Sequence, residues 1–301
     1  MSSKATSLKS AIADFMLKRG IPGEMEQNLI KEAIHLHLLS ALSDANILRH
    51  VVFQGGTALR LCYGGERYSE DLDFVCGKSG SYLDKIDFDK LIRDALEATK
   101  RSLQRDFDID PHRIALKQPP HSMAIKGNSV AVAVWQIVVP IGSTERSPKS
   151  RIKIEFANVP SYDNAPRVAR TTPGLVQTQD VILAVESENE ILADKAVALT
   201  ARQALKYRDI WDVWDLTSRM DAKIDRAMVQ QKFVDYGTKD VEAKARSRLD
   251  EISKESTAQL FLAEMKRFLP AKRVAEITDA RWHHAILAKS GDLIRRAVLP
   301  A

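Results

Sequence analysis

Two stretches decide how this chain is read: Gln54-Gly-Gly-Thr-Ala-Leu-Arg60 and Arg67-Tyr-Ser-Glu-Asp-Leu-Asp-Phe74. A short apolar run, His50-Val-Val-Phe53, precedes the first, so residues 50–60 read as a strand, a glycine turn and a helix opening at Thr57. Residues 71–75 predict a second strand. Side chains alternate along an extended chain, which points Arg67, Ser69, Asp71 and Asp73 one way and sends Leu72 and Phe74 into a core. Carboxylates two residues apart on one strand face lie roughly 6–7 Å apart at their Cα atoms. From there they can converge on hard cations.

A third acid is within reach. In Arg151-Ile-Lys-Ile-Glu-Phe156 the apolar Ile152, Ile154 and Phe156 share one face, and Lys153 and Glu155 share the other. If this strand lies beside residues 71–75, Glu155 joins Asp71 and Asp73. Such a trio suits two magnesium ions, or manganese in their place, which activate an attacking hydroxyl and neutralise a leaving pyrophosphate. Gly55 and Gly56, ahead of a helix start, let backbone N–H groups approach a phosphate, and the helix N-terminus favours that anion. Ser69 adds a hydroxyl. A Gly-Gly pair alone is usually a turn, and an Asp-x-Asp alone is usually a solvated strand face. Their combination, with Ser69 in phase and Glu155 on a partner strand, favours phosphate chemistry.

Working outward, residues 7–19 and 24–45 carry helical apolar spacing, as do residues 87–103. Val130–Val139 is a further strand candidate beside Arg151–Phe156. Residues 158–180 contain Pro160, Pro166, Pro173 and Gly174 and read as a linker or long surface segment. Helices are expected from there on, at 186–206, 208–219, 224–236, 240–268 and 272–297. The expected fold is α/β (α+β): a mixed-sheet domain at 1–165, then a mostly helical domain at 166–301, with the site in the cleft between them.

Composition narrows the class. The 301 residues are 45% apolar and 28% charged, as in an ordinary globular protein large enough for one big domain or two modest ones. No apolar run is long enough to span a membrane. The opening residues are broken by Lys9 and Asp14 and do not read as a secretory leader. Cys62 and Cys76 form no disulfide framework and no metal-ligand spacing, so a cytoplasmic location is expected. The net charge of +5 is compatible with a polyanionic partner without requiring one.

The Gly-Gly-Thr-x-Leu segment followed by Arg-x-Ser-x-Asp-x-Asp resembles the AbiEii/AbiGii toxin family, within the DNA polymerase β-like nucleotidyltransferase superfamily. The resemblance covers residues 25–75, and a second block at 190–216. There it carries over a helical lysine onto Lys195 and an Arg-Asp segment onto Arg208, Asp209, Asp212 and Leu216, with Asp215-Leu216 three residues further on than the family pattern. Asp209 and Asp212 both remain candidates for the family's functional aspartate, and Asp209 is favoured. Helical spacing puts Lys195, Arg202 and Lys206 on one face.

The resemblance implies a magnesium-dependent nucleotidyltransferase that moves a nucleotide from an NTP such as ATP or CTP to an acceptor hydroxyl. Asp71, Asp73 and Glu155 are the expected metal ligands, with Lys195 and Asp209 also catalytic. Gly55, Gly56, Thr57, Arg67, Ser69, Lys195 and Arg202 are the expected nucleotide-binding residues. It also implies a growth-inhibiting toxin, silenced by a cognate antitoxin and paired with it in a toxin–antitoxin or phage-defence system, with the 3′ end of tRNA as acceptor. Two rival readings are a transferase acting on a protein Ser, Thr or Tyr, and a catalytically silent nucleic-acid-binding module. His35 with His37, and His283 with His284, make poor metal pairs. Trp211, Trp214 and Trp282 are expected to pack helices, and Lys266, Arg267, Lys272 and Arg273 to be solvated.

Overall fold

The computed structural model describes residues 7–76, 88–117, 132–142, 146–170, 172–176, 180–279 and 281–300. Helix α1 (Leu8–Arg19) stops at Gly20, whose φ of 61° closes the last turn. Helix α2 (Glu26–Asp44) is buried on nearly every side. Next come β1 (Val52–Gln54), α3 (Gly55–Cys62) and β2 (Leu72–Val75), followed by α4 (Phe88–Phe107), β3 (Ala115–Lys117), β4 (Val132–Pro140) and β5 (Lys149–Ala157). The expected strand residues 130 and 131, and the expected helix residue 87, lie outside the described residues.

The strands form one seven-stranded sheet in the order β3-β4-β5-β2-β1-β7-β6, with β6 at Asn164–Ala169 and β7 at Val181–Glu186. Pairing is parallel between β1 and β7 and between β2 and β5, and antiparallel elsewhere. The mixed-sheet α/β class expected from the sequence is what forms. The segment read as a linker, 158–180, contains β6, and β7 pairs with the central β1, so the sheet continues beyond residue 165 to Glu186. Pro166 is tolerated because β6 is an edge strand.

The apolar sheet face packs on α2 and α4 through a row of rings. Phe53 and Phe74 have centroids 5.0 Å apart, Phe74 and Phe156 5.1 Å, and Phe156 and Trp135 5.6 Å, crossing β1, β2, β5 and β4. Burying those rings is what turns Asp73 and Glu155 to the opposite face.

That opposite face is met by the helical half: α5 (Glu188–Ala201), α6 (Tyr207–Ser218), α7 (Arg226–Asp235), α8 (Val241–Ile252), α9 (Glu255–Phe268), α10 (Ala271–Asp279) and α11 (Trp282–Val298). Its own core is built around Trp211, Phe261, Met265 and Ile294. Two helices expected as single runs, 240–268 and 272–297, are each broken in two, the second beside Arg281 with its φ of 53°. Trp211 is buried and Trp214 packs against the helical core as expected, but Trp282 is 46% exposed. Among the described residues no helix is long and apolar enough to cross a membrane.

Candidate active site

The helix expected to open at Thr57 opens two residues earlier, at Gly55, where a φ of 77° swings the chain directly out of β1. A Cβ on Gly55 would lie 2.9 Å from Asp73 Oδ2, and one on Gly56 would lie 2.2 Å from Arg67 Nη2 and 3.1 Å from Ser69 Oγ. The pair therefore does more than turn the chain. It lets α3 start in contact with the carboxylate strand, with Gly55 and Gly56 lining the same cavity as Asp73.

Register brings the acids together. Asp73 on β2 is the direct partner of Glu155 on β5, two strands that run parallel. Asp71 sits just before β2, its carboxylate accepting the Lys153 backbone N–H at 3.2 Å and its carbonyl accepting the Thr57 hydroxyl. Thr57 is buried, and its hydroxyl braces Asp71. Burial, then the charges of Glu155 and Asp71, push the Asp73 carboxyl up to about 6. None of Asp71, Asp73 and Glu155 forms an ion pair with another described residue. Three oxygen-donor acids lining one cavity, none ion-paired to a described residue, are the donor set a hard divalent ion takes.

These residues floor a cavity of about 560 Å³, also lined by Ser69, Arg67, Lys195, Arg202, Lys206 and Asp209. Its far wall is α5. That helix ends at Ala201, not at 206, so Arg202 is its cap and Lys206 precedes α6. The single basic helix face expected for Lys195, Arg202 and Lys206 does not exist. The chain instead breaks and returns, and all three reach the cavity from a bend.

The return joins the two expected aspartates to Lys195. The Lys195 ammonium lies 2.6 Å from Asp209 Oδ1 and 2.8 Å from Asp212 Oδ2. Arg67 grips Asp212 with two bonds, of 2.7 and 2.9 Å, and Arg202 pairs with Asp209. Burial opposes ionisation of Asp209, but Lys195 and then Arg202 outweigh it and hold the carboxyl at about 2. Of the two aspartates, Asp209 lines the cavity.

Among the lining residues not read as site residues from the sequence are Lys153, Tyr236, Thr238 and Lys244. For Lys153 the signal was its phase with Glu155. Nothing local marks the others, because only the fold of α7 and α8 brings them over the sheet. The tightest acidic cluster among the described residues is a further surprise. Glu186, Glu190 and Asp194 place carboxylate oxygens within 4.8 Å of one another, and the fully buried Lys232 sits among them, 2.9 Å from Glu190 and 2.8 Å from Asp194. An ammonium occupies the place a metal would take, so this cluster pins α7 to α5 and β7. Its sequence signal was acids at four-residue spacing, Glu190 and Asp194 on α5 and Glu186 at the end of β7.

A profile of the family described as "Nucleotidyl transferase AbiEii toxin, Type IV TA system" matches residues 37–285. That span takes in the carboxylate sheet, the glycine pair and the Lys195 network. The chain is a nucleotidyltransferase. It belongs to the AbiEii toxin family, and membership implies an NTP as substrate and an antitoxin as partner. A search of curated proteins finds no sequence match. Among solved structures the chain is similar to JHP933 from Helicobacter pylori, at 16% identity and TM-score 0.45, covering 90% of this chain and 92% of that one. It is also similar to a protein from H. pylori described as a candidate nucleotidyltransferase, at 18% identity and TM-score 0.48, covering 90% and 96%.

Proposed function

We propose that the chain transfers a nucleotide from an NTP to the 3′-terminal hydroxyl of tRNA, in the cytoplasm, and that this transfer is the growth-inhibiting activity. The observation that carries the reading is the register of Asp73 with Glu155, beside Asp71, in a cavity entered by the first turn of α3. Asp71, Asp73 and Glu155 are the residues that would hold magnesium, or manganese. When bound, the ion supplies charge neutralisation on the phosphates and lowers the pKa of the acceptor hydroxyl.

The chain's own groups do the rest. Backbone N–H groups of Gly55 and Gly56 and the Ser69 hydroxyl hold the terminal phosphates. Lys195, at the base of the wall, orients Asp209 and Asp212 and presents net positive charge with Arg67 and Arg202 toward the triphosphate. Glu155, abreast of Asp73, is placed to accept the acceptor's proton as its oxygen attacks the α-phosphate and pyrophosphate leaves. The tRNA choice is supported by four exposed cations around the cavity, Lys153, Arg202, Lys206 and Lys244. Incubation with each α-labelled NTP, total tRNA and a protein mixture tests it. Label in tRNA, lost in Asp73→Asn, is expected. Label in protein alone transfers the reading to a protein hydroxyl, and no label anywhere ends it.

A further inference from the structure

We infer that the sheet floor beyond the carboxylates is a nucleobase seat, built on an apolar shelf under Tyr236. The inference rests on the transferase reading of the cavity. The two carboxylate strands continue in register: Asp73 pairs with Glu155, and two residues on Val75 pairs with Ala157. Because side chains alternate, Val75 and Ala157 lie on the carboxylate face, about 7 Å further along each strand. They belong to a small apolar cluster with Val52 and Val159, distinct from the two main cores, and Val132 and Tyr236 pack against it.

Direction along the strands orders the cavity. Ser69 and the start of α3 come first, the acids next and the apolar shelf last. A nucleotide has the same order, with charged phosphates at one end and a flat apolar ring at the other. The α-phosphate is held where the acids lie, so a base attached to it through one sugar reaches the shelf. Val132, Ala157 and Tyr236 line the cavity, as do the polar Thr238 and Asp194. Tyr236 follows the last residue of α7, is half-buried, packs on the apolar cluster and lines the cavity. Lys232, held by Glu186, Glu190 and Asp194, fixes the end of α7 and with it the position of this ring. An aromatic ring over an apolar floor binds any base by stacking. The base belongs either to the donor NTP or to the terminal nucleotide of the acceptor.

The test uses the full chain with Tyr236→Leu and Tyr236→Phe, each first checked for an unchanged melting profile. Binding of non-hydrolysable NTP analogues, binding of inorganic tripolyphosphate and transfer to acceptors differing in terminal base are then measured. Tyr236→Leu should weaken either binding of the NTP analogues or use of the acceptor roughly tenfold. Tyr236→Phe should keep both, and tripolyphosphate should bind all three proteins alike. A loss on the NTP assigns the seat to the donor base, and a loss confined to the acceptor assigns it to the terminal nucleotide. If Tyr236→Leu binds NTP analogues and handles every acceptor as the parent does, the seat is refuted while the phosphate site stands. If the parent binds neither NTP nor tripolyphosphate, the transferase reading fails first. Should Tyr236→Leu melt early, Tyr236→Met serves instead, and unaltered binding of NTP analogues with unaltered use of every acceptor there also overturns the proposal.

Discussion

Asp73 and Glu155 face each other as register partners in adjacent parallel strands, with no cation paired to either among the described residues. Parallel pairing makes this arrangement stiff, since both strands are anchored from below by stacked phenylalanines, Phe74 on Phe156. Neither carboxylate can move away from the other without lifting a ring out of the core. The fold thus holds two like charges in a geometry that the apo protein would relax if it could, as expected of a site built for a cation.

Asp73→Asn follows directly. The Asp73 carboxyl is pushed up to about 6, above its ordinary value, so its ionised form weakens the folded state at every pH above that ordinary value. The amide removes this cost. The metal-free variant should melt at a higher temperature than the parent at pH 7, and transfer should be lost. A lower melting point, with activity kept, would make the aspartate structural.

Much of this site was legible because it is local. The alternation of Ile152, Lys153, Ile154 and Glu155 set the facing of β5, and Asp71 with Asp73 set that of β2. Only their adjacency required the fold. The Lys195 network was half legible, since the residues were found but the bend at Ala201 was not: the apolar spacing runs on through 205 without a glycine or proline. What breaks the helix is tertiary. Arg248 of α8 donates to the Arg202 carbonyl, and Lys195 draws Asp209 back. Strand β6 was read as linker because Pro166 and its edge position hide the alternation, and β7 was missed because its apolar run Val181–Val185, paired on both sides, shows none. Lys232 was invisible, as a buried lysine reads like any surface one.

The glycine pair gives a second expectation. Gly56→Ala drives a methyl to 2.2 Å from the Arg67 guanidinium, which cannot yield because Asp212 holds it from two sides. The cost should be about 1–3 kcal/mol, with transfer abolished. Gly64 is the control: its φ is 67° but nothing lies within 4 Å of its Cβ position. Gly64→Ala should lose only about 1–2 kcal/mol from backbone strain and keep its activity. Equal activity in the two variants, measured alongside urea melts, would contradict this.

Lys195 and Arg202 should separate. Removing the Lys195 ammonium leaves two buried carboxylates short of a partner, so Lys195→Ala should cost about 3 kcal/mol or more in stability and also abolish transfer. Arg202 touches Asp209 too, but its side chain is 42% exposed and solvent screens the pair. Arg202→Ala should cost about 1 kcal/mol or less. Chemical denaturation of both variants checks the ordering, and a matching loss in the two would dissolve the distinction.

His35 sets an acid limit. It is buried in α2 beside the Glu70 carbonyl, at 3.1 Å, and burial lowers its pKa to about 4. The folded value lies below the unfolded one, so the unfolded state takes up the proton first as pH falls. Stability should therefore decline from about pH 6.5 to about pH 4 and level off below, by about 3 kcal/mol in all from this group. His35→Gln should flatten that stretch of the pH–stability curve. An unchanged slope would assign it to other groups.

The salt dependence of tRNA transfer is the most exposed expectation. Lys206 and Lys244 line the cavity, are exposed, and form no ion pair with any described residue. Lys266, expected to be solvated, does not line it. A lysine that meets an RNA phosphate releases a counterion, so each true contact steepens the fall of affinity with salt. Lys206→Gln and Lys244→Gln should each reduce the log–log slope of tRNA binding by about one, and Lys266→Gln should leave it alone. A protein acceptor would neutralise few of these charges and give a shallow slope from the start. Filter binding of labelled tRNA across a salt series reads the slopes. If all three variants keep the parent's slope, RNA does not approach through this opening, and the acceptor must be sought among proteins.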